Sequence, residues 1–416
     1  MTDIHIYIGE DAIAHLVQYC EAHQINHFLL VADRNTDAAL GKSVAAALES
    51  RNWDVRSMVF DSPEVVPDEV FITQVLLRAD KVERTYLAVG SGTITDITRF
   101  ASHRTRRPFI SLPTAPSVDG YTSPSASLVL QRIKQTVIAQ PPQAVIADLA
   151  TLAAAPQALI AAGYGDMLGK AIALADWQLG HLLWDEPYHA EIAQRVRLSL
   201  DECVQATPEI GRASAAGVSK LMSSLIDSGF CMLDFGNSRP AAGAEHYMSH
   251  YLEMKLLREG RPAVLHGAKV ALCSLWVADL YARLRQIDRR TAAARLEKAT
   301  LLDRAAEEKR IHQVYGSIAA KLLVEQEPFI GLSAEAFAHL KQRILDNWDE
   351  LQALAASVPS AGWLSDLLRQ AGGATQPAEL GLTDDEVHQA LLNAHLLRNR
   401  FTICKLARIL NLVDGL

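Results

Sequence analysis

Cysteine is scarce in this chain of 416 residues: there are five, at Cys20, Cys203, Cys231, Cys273 and Cys404. They are scattered, odd in number and form no CxxC pair. That argues against a disulfide framework and against a structural zinc knuckle, and leaves buried free thiols as the reading. Positive charge is not in excess either. Lys and Arg number 40 against 48 Asp and Glu, a formal charge of -8, with a pI near 6.0. Nucleic acid demands a basic surface, so that class of partner is set aside. No uncharged apolar run reaches the ~18 residues of a spanning helix. The Ala-rich stretch around residues 143–183 is broken by Asp148, Pro156, Gly163, Asp166 and Lys170. The start, MTDIHIYIGEDAIAHL, has early acids and no basic segment leading into an apolar one, which is unlike a signal peptide. A cytoplasmic protein without membrane contact is expected. Repeats and low-complexity segments are absent.

What is present divides the chain in two, as its length also suggests. About half the residues are hydrophobic, enough for a core of good size. Short apolar runs at 27–32, 55–60, 85–90 and 108–113 alternate with helical patterns such as 38–51 and 68–79. Such alternation predicts βαβ units and a parallel sheet. After a loop rich in Pro, Ser and Gly, LVLQRI and TVIAQ look like a small strand pair, and AVIAD (144–148) like one more strand. Beyond about residue 150, Leu, Ala, Glu, Lys and Arg recur at helical spacing. DRAAEEKRIHQVYGSIAAKLLVEQ and DDEVHQALLNAHLLRNRFTICKLARIL read as amphipathic helices. The expected organisation is a Rossmann-like α/β domain over 1–150 and an all-α domain over 151–416.

Two places in the α/β half suggest a nucleotide. YLAVGSGTITDITRF sets Gly90-Ser91-Gly92-Thr93 after a buried strand and before a helix beginning near Ile94. Glycines there let the backbone approach a pyrophosphate at a helix N-terminus. Thr95 stands where the third glycine of GxGxxG would be, so a tight turn without ligand is an equal reading. Asp33 follows the 27–32 strand at once. An acid there can bind a ribose diol and repel a 2′-phosphate, favouring NAD over NADP; the plainer reading is a helix N-cap.

Three histidines crowd AEHYMSHYLEMKLLREGRPAVLHGAKV. His246 and His250 are four apart on a predicted helix and share a face. His266 sits at the entrance to the next helix, beside Gly267, which marks a break or a close approach. In GYGDMLGK, Asp166 lies in what reads as a turn bracketed by Gly163, Gly165 and Gly169. One carboxylate with two or three imidazoles is a donor set for a borderline divalent cation. The plainer alternatives are an N-cap for Asp166, a satisfied core histidine for His266 and helix-surface positions for the pair.

Five segments, GSGTITDITRF, SLPTAPSVDGYTSPSA, GYGDMLGK, EHYMSH and LHGAKV, appear in order between residues 90 and 270. Together they resemble the bacterial-type sn-glycerol-1-phosphate dehydrogenases, within the wider group of glycerol dehydrogenase, iron-containing alcohol dehydrogenase and dehydroquinate synthase. The resemblance implies a dehydroquinate synthase-like fold, homodimer assembly, and interconversion of dihydroxyacetone phosphate and sn-glycerol 1-phosphate with NAD or NADP, NAD favoured. It implies one divalent metal, zinc or nickel or else iron, held by Asp166, His246 and His266. His250 and Asp119 are then the catalytic and substrate contacts, with Asp166 also touching substrate. Gly90, Gly92, Thr93, Ile94, Thr95, Asp96, Thr114, Ala115, Pro116, Ser117 and Ser123 are the implied cofactor contacts, and Asp33 the ribose contact. An acid or amide is expected after LHG, where this chain has Ala268-Lys269. The rival activities are a polyol dehydrogenase acting on glycerol or a similar polyol, and a dehydroquinate synthase-like lyase, whose first metal ligand is usually Glu rather than Asp. A non-enzymatic NAD-binding sensor is the remaining alternative.

Overall fold

The computed structural model describes residues 4–131 and 133–413; Arg132, inside the expected LVLQRI strand, lies outside the described residues. Six parallel strands form one sheet: β1 (His5–Gly9), β2 (His27–Asp33), β3 (Asp54–Phe60), β4 (Thr85–Val89), β5 (Phe109–Leu112) and β8 (Ala144–Asp148), in the order β1-β8-β5-β4-β2-β3. β6 (Ser125–Leu130) and β7 (Ile133–Ile138) pair as an antiparallel hairpin, displaced by a few residues from the expected strand pair. The inner strands β2, β4, β5 and β8 are buried on both faces, which explains their unbroken apolar runs, whereas the edge strands β1 and β3 are partly exposed. Phe28, Leu30 and Ala32 of β2 pack with Leu16 of α1 (Ala12–Ala22) and with Val44 and Leu48 of α2 (Lys42–Glu49). Leu29 and Val31 pack the other way, on Ile72 and Val75 of α3 (Glu69–Leu76) and on Ile94 and Ile97 of α4 (Gly92–Arg104).

The chain passes from β2 outward to β3 and then back to β4 on the other side of β2. That reversal opens a crevice at the carboxyl ends of β2 and β4. β2 and β4 pair with Val31 opposite Ala88; continuing that register sets Asp33 level with Gly90.

Among the described residues, every element after Asp148 is helical. At the centre stands α5 (Gln157–Trp184), 28 residues long. It is long and apolar enough to cross a membrane, but 89% of its most apolar stretch is buried inside the molecule. Asp166 therefore lies in mid-helix, and the expected Gly-bracketed turn does not form. The glycines answer a different need, close packing. A Cβ on Gly163 would run into the Pro116 carbonyl oxygen, one on Gly165 would stand 2.6 Å from Cβ of Ala271, and one on Gly169 2.7 Å from Cγ1 of Val270. The glycines clear the path for the 114–117 loop on one side and for α9 below on the other.

Around α5 pack α6 (Ala190–Gln205), α7 (Ala215–Phe235), α8 (Ala244–Glu259) and α9 (His266–Arg285). Gly267 of α9 is the reciprocal close approach: a Cβ there would run into the Ala162 carbonyl oxygen. The two long C-terminal patterns are each broken. The first divides at Gly316, where φ is +54°, into Arg304–Tyr315 and Ala319–Ile330, and the second into Asp384–Asn393 and Ile403–Ile409.

Candidate active site

α5, α8 and α9 meet where their chemistry-bearing residues fall. Asp166 of α5, His246 of α8 and His266 of α9 each place a donor atom within 4.8 Å of the other two. Asp166 is fully buried and His246 nearly so. His246 Nδ1 lies 2.7 Å from Oε1 of Glu245, which turns Nε2 toward Asp166 Oδ1 at 3.4 Å. Burial disfavours the imidazolium, yet Asp166 and Glu245 outweigh it and push His246 up to about 9. Asp166 and His246 are two of the residues that would hold a cation. His266, the third, is shifted the opposite way. Burial, with the Lys134 ammonium nearby, pushes it down to about 3 and keeps it neutral. Its Nδ1 is buried with no hydrogen-bond partner, so it is not a satisfied core histidine. The set fits a borderline divalent cation: a carboxylate, an imidazole fixed by a second carboxylate, and a neutral imidazole with an uncommitted nitrogen.

His250 lies one turn along α8, its ring centroid 6.5 Å from that of His246 and 5.6 Å from that of His266. Burial first, then the Lys134 charge, holds it neutral, well below its usual range; its Nδ1 is also unpartnered. Asp119 approaches Asp166 rather than His250. Its backbone N–H donates to Asp166 Oδ2 at 3.2 Å, and its own Oδ2 accepts from Ser228 Oγ at 3.0 Å.

The expected cofactor residues gather at the carboxyl ends of β2, β4 and β5. Gly90 follows β4 directly, Gly92 and Thr93 open α4, and the Thr114 N–H reaches the Gly90 carbonyl at 3.4 Å, tying the two loops together. Ile94 and Thr95 turn their side chains inward. Asp96 accepts from Arg99 Nη1 at Oδ1 (2.7 Å) and from the Ser127 N–H at Oδ2 (3.1 Å); burial pushes it up to about 6 despite Arg99. What this segment presents to a ligand is backbone: the first N–H groups of α4 have no partner within the helix. Ala115, Pro116 and Ser117 are structural at first glance. The Ala115 carbonyl accepts from Tyr121 Oη at 2.5 Å, Pro116 abuts Gly163, and Ser117 is nearly buried. Ser123 Oγ accepts from the Ser125 N–H at 3.0 Å. Asp33 is an N-cap, its Oδ1 accepting from the N–H groups of Asn35 and Thr36. That realises the plainer reading of this residue without removing it from the mouth of the crevice.

Residues 7–156 match the family described as iron-containing alcohol dehydrogenase. Over 401 residues the chain is 35% identical to the glycerol-1-phosphate dehydrogenase [NAD(P)+] of Halalkalibacterium halodurans, covering 96% of this chain and 90% of that one. The enzyme of the same name from Bacillus subtilis is 34% identical over 409 residues, 98% and 90% of the two chains. The chain belongs to the glycerol-1-phosphate dehydrogenase family. Its fold is shared more widely. A probable glycerol dehydrogenase from Sinorhizobium meliloti superposes with a TM-score of 0.61 at 17% identity, covering 98% of this chain and 95% of that one.

In this family member several residues of the site escape a reading of the sequence. Lys170 is the chief one. Its buried Nζ contacts Asp119 Oδ2 at 2.7 Å, Asp166 Oδ1 at 2.9 Å and the Ala241 carbonyl at 3.3 Å. Burial penalises it, but the two carboxylates win and keep it protonated. It follows Asp166 by four residues, so a helix through GYGDMLGK would have revealed it. Glu245, adjacent to His246, carries no spacing signal of its own.

Proposed function

We propose that the chain is a metal-dependent NAD(P)H oxidoreductase that interconverts dihydroxyacetone phosphate and sn-glycerol 1-phosphate. The observation that carries the reading is the convergence of Asp166, His246 and His266 within 4.8 Å, in a chain about 35% identical over nearly its whole length to enzymes of that name. The proposal divides the chain near residue 150 into a cofactor-binding α/β domain and a helical domain for metal and substrate. Homodimer assembly, a cytoplasmic location, and zinc or nickel ahead of iron belong to it, and light scattering and metal analysis check the first and last.

A divalent cation on these three residues would supply Lewis acidity toward a ketone oxygen, and NAD(P)H the hydride. The protein's own part is positional. Glu245 fixes the His246 ring, and Lys170 holds Asp166 and Asp119 in one place. The first N–H groups of α4 offer themselves to a pyrophosphate. His250, neutral and unpartnered at Nδ1, is the group placed to exchange a proton with the substrate oxygen, directly or through water.

The isolated protein is expected to oxidise NADH with dihydroxyacetone phosphate, and exhaustive EDTA treatment to abolish the rate. Activity persisting in protein shown to contain no metal would remove the Lewis-acid role. Parallel assays with glycerol and dihydroxyacetone separate the polyol reading, and the absence of any net oxidation would favour a lyase or a sensor. Asp33 gives a second test. Wild type should prefer NADH, and Asp33→Ser should narrow that preference by about fivefold to tenfold, the scale of one hydrogen bond. A wild-type preference for NADPH would mean that Asp33 acts only as the helix cap.

A further inference from the structure

A second cluster adjoins the first and shares His266. His250, Glu253 and His266 also bring donor atoms within 4.8 Å of one another, but this set is not built for a cation. Two ammonium groups converge on the same oxygen of Glu253: Lys134 Nζ at 2.6 Å from Oε2 and Lys269 Nζ at 3.3 Å. Lys269 also donates to the Val264 carbonyl at 2.9 Å. A divalent cation here would face two positive charges within reach of its own carboxylate. The lysines are buried for their type, their side chains only 14% and 2% exposed. Two ammoniums against one carboxylate leave a net positive charge at a half-buried cluster, with the unpartnered Nδ1 atoms of His250 and His266 belonging to it.

Lys134 comes from the β6–β7 hairpin, which packs on α8, and Lys269 from the first turn of α9. The cluster thus draws one lysine from the α/β half and the other from the helices. Its distance from the Asp166/His246/His266 cluster is the width of a single imidazole, because His266 belongs to both. In a three-carbon phosphate ester the phosphorus is only a few bonds from the carbonyl carbon. We propose that Lys134 and Lys269 form the subsite for the phosphate dianion of the substrate, Glu253 holding the two ammoniums together and in place until the dianion arrives. The proposal rests on the function assigned above, and it gives Lys269, the second residue of the Ala268-Lys269 pair found where an acid or amide is expected, a positive task.

The test uses the full-length holoenzyme and three variants: Lys134→Gln, Lys134→Arg and the double variant Lys134→Gln/Lys269→Met. The ratio of kcat/KM for dihydroxyacetone phosphate over dihydroxyacetone is expected to fall on the order of 10- to 100-fold in Lys134→Gln, the worth of a hydrogen bond to a charged group. It should fall further in the double variant and be largely kept in Lys134→Arg. Calorimetric binding of inorganic phosphate reads the subsite without turnover and should weaken in the same order. Because Lys134 sits on an outer hairpin, its single variants carry the test even where loss of Lys269 impairs folding. An unchanged ratio and unchanged phosphate binding in folded Lys134→Gln would overturn the proposal, as would two metal ions per wild-type chain. Wild-type protein that binds phosphate in a lysine-dependent way yet does not reduce dihydroxyacetone phosphate would overturn the assigned function and leave the subsite standing.

Discussion

His246→Ala and His266→Ala should each purify without metal and without activity, whereas His250→Ala should retain about one metal ion per chain. The expectation comes from the different surroundings of the three rings. His246 is locked by Glu245 at Nδ1 and aimed at Asp166 by Nε2, and removing it leaves two protein ligands, which hold a borderline cation poorly. His266 is kept neutral by burial and by Lys134, the state a ligand needs. His250 shares the helical face of His246 but has no donor within the first cluster. Its loss should cost turnover on the order of 10²- to 10⁴-fold, the scale for a positioned acid–base group, with metal unchanged. Metal content measured on the three purified proteins decides the matter. If His250→Ala loses metal as completely as His246→Ala, the HxxxH pair binds the cation directly and the division of roles is wrong.

The inner strands of the sheet, β2, β4, β5 and β8, were legible in the sequence because they are buried on both faces and appear as apolar runs. β1 was not. It lies at the sheet edge, where His5 is exposed and the next four residues are partly so, and its partner β8 is some 140 residues further on. The same physics governs the site. Asp166, His246 and His266 could be named from their motifs, but the helical environment of Asp166 could not. A glycine in a helix is costly in isolation, so three near one aspartate suggest a turn. Their use becomes visible only once α9 and the 114–117 loop are packed against them. With the turn went Lys170, whose role follows from the helical spacing that the turn denied. The Lys134–Glu253 contact joins a hairpin to a helix across 119 residues, and no local pattern encodes it. Asp33 shows the converse: two readings were open, and the cap is the one whose hydrogen bonds are formed.

Gly163→Ala should be among the most destabilising single-atom additions in this chain. Gly163 is helical, so alanine should gain about 1 kcal/mol in intrinsic propensity. Sterics reverse that sign. The new Cβ would sit inside the contact distance of the Pro116 carbonyl oxygen and 3.2 Å from Cδ1 of Leu225. Leu225 is a side chain and can shift. Pro116 is backbone in a loop that is tied down on both sides, by Tyr121 Oη on the Ala115 carbonyl and by the Thr114 N–H on Gly90. Relief therefore requires the loop to move away from α5, at about 3 kcal/mol or more, the upper range for overpacking. Gly362→Ala is the matched control. It too lies in a helix, Ala361–Gln370, but nothing stands within 4 Å of its would-be Cβ, and it should be stabilising by about 0.5–1 kcal/mol. Urea unfolding of the two variants reads the difference directly. The displaced loop is an expected cofactor contact and Asp166 is three residues along the same helix, so NADH affinity and metal content should fall together in Gly163→Ala. An unfolding midpoint equal to wild type would mean that the 114–117 loop yields freely, and that the close approach does not fix the cofactor loop against the metal helix.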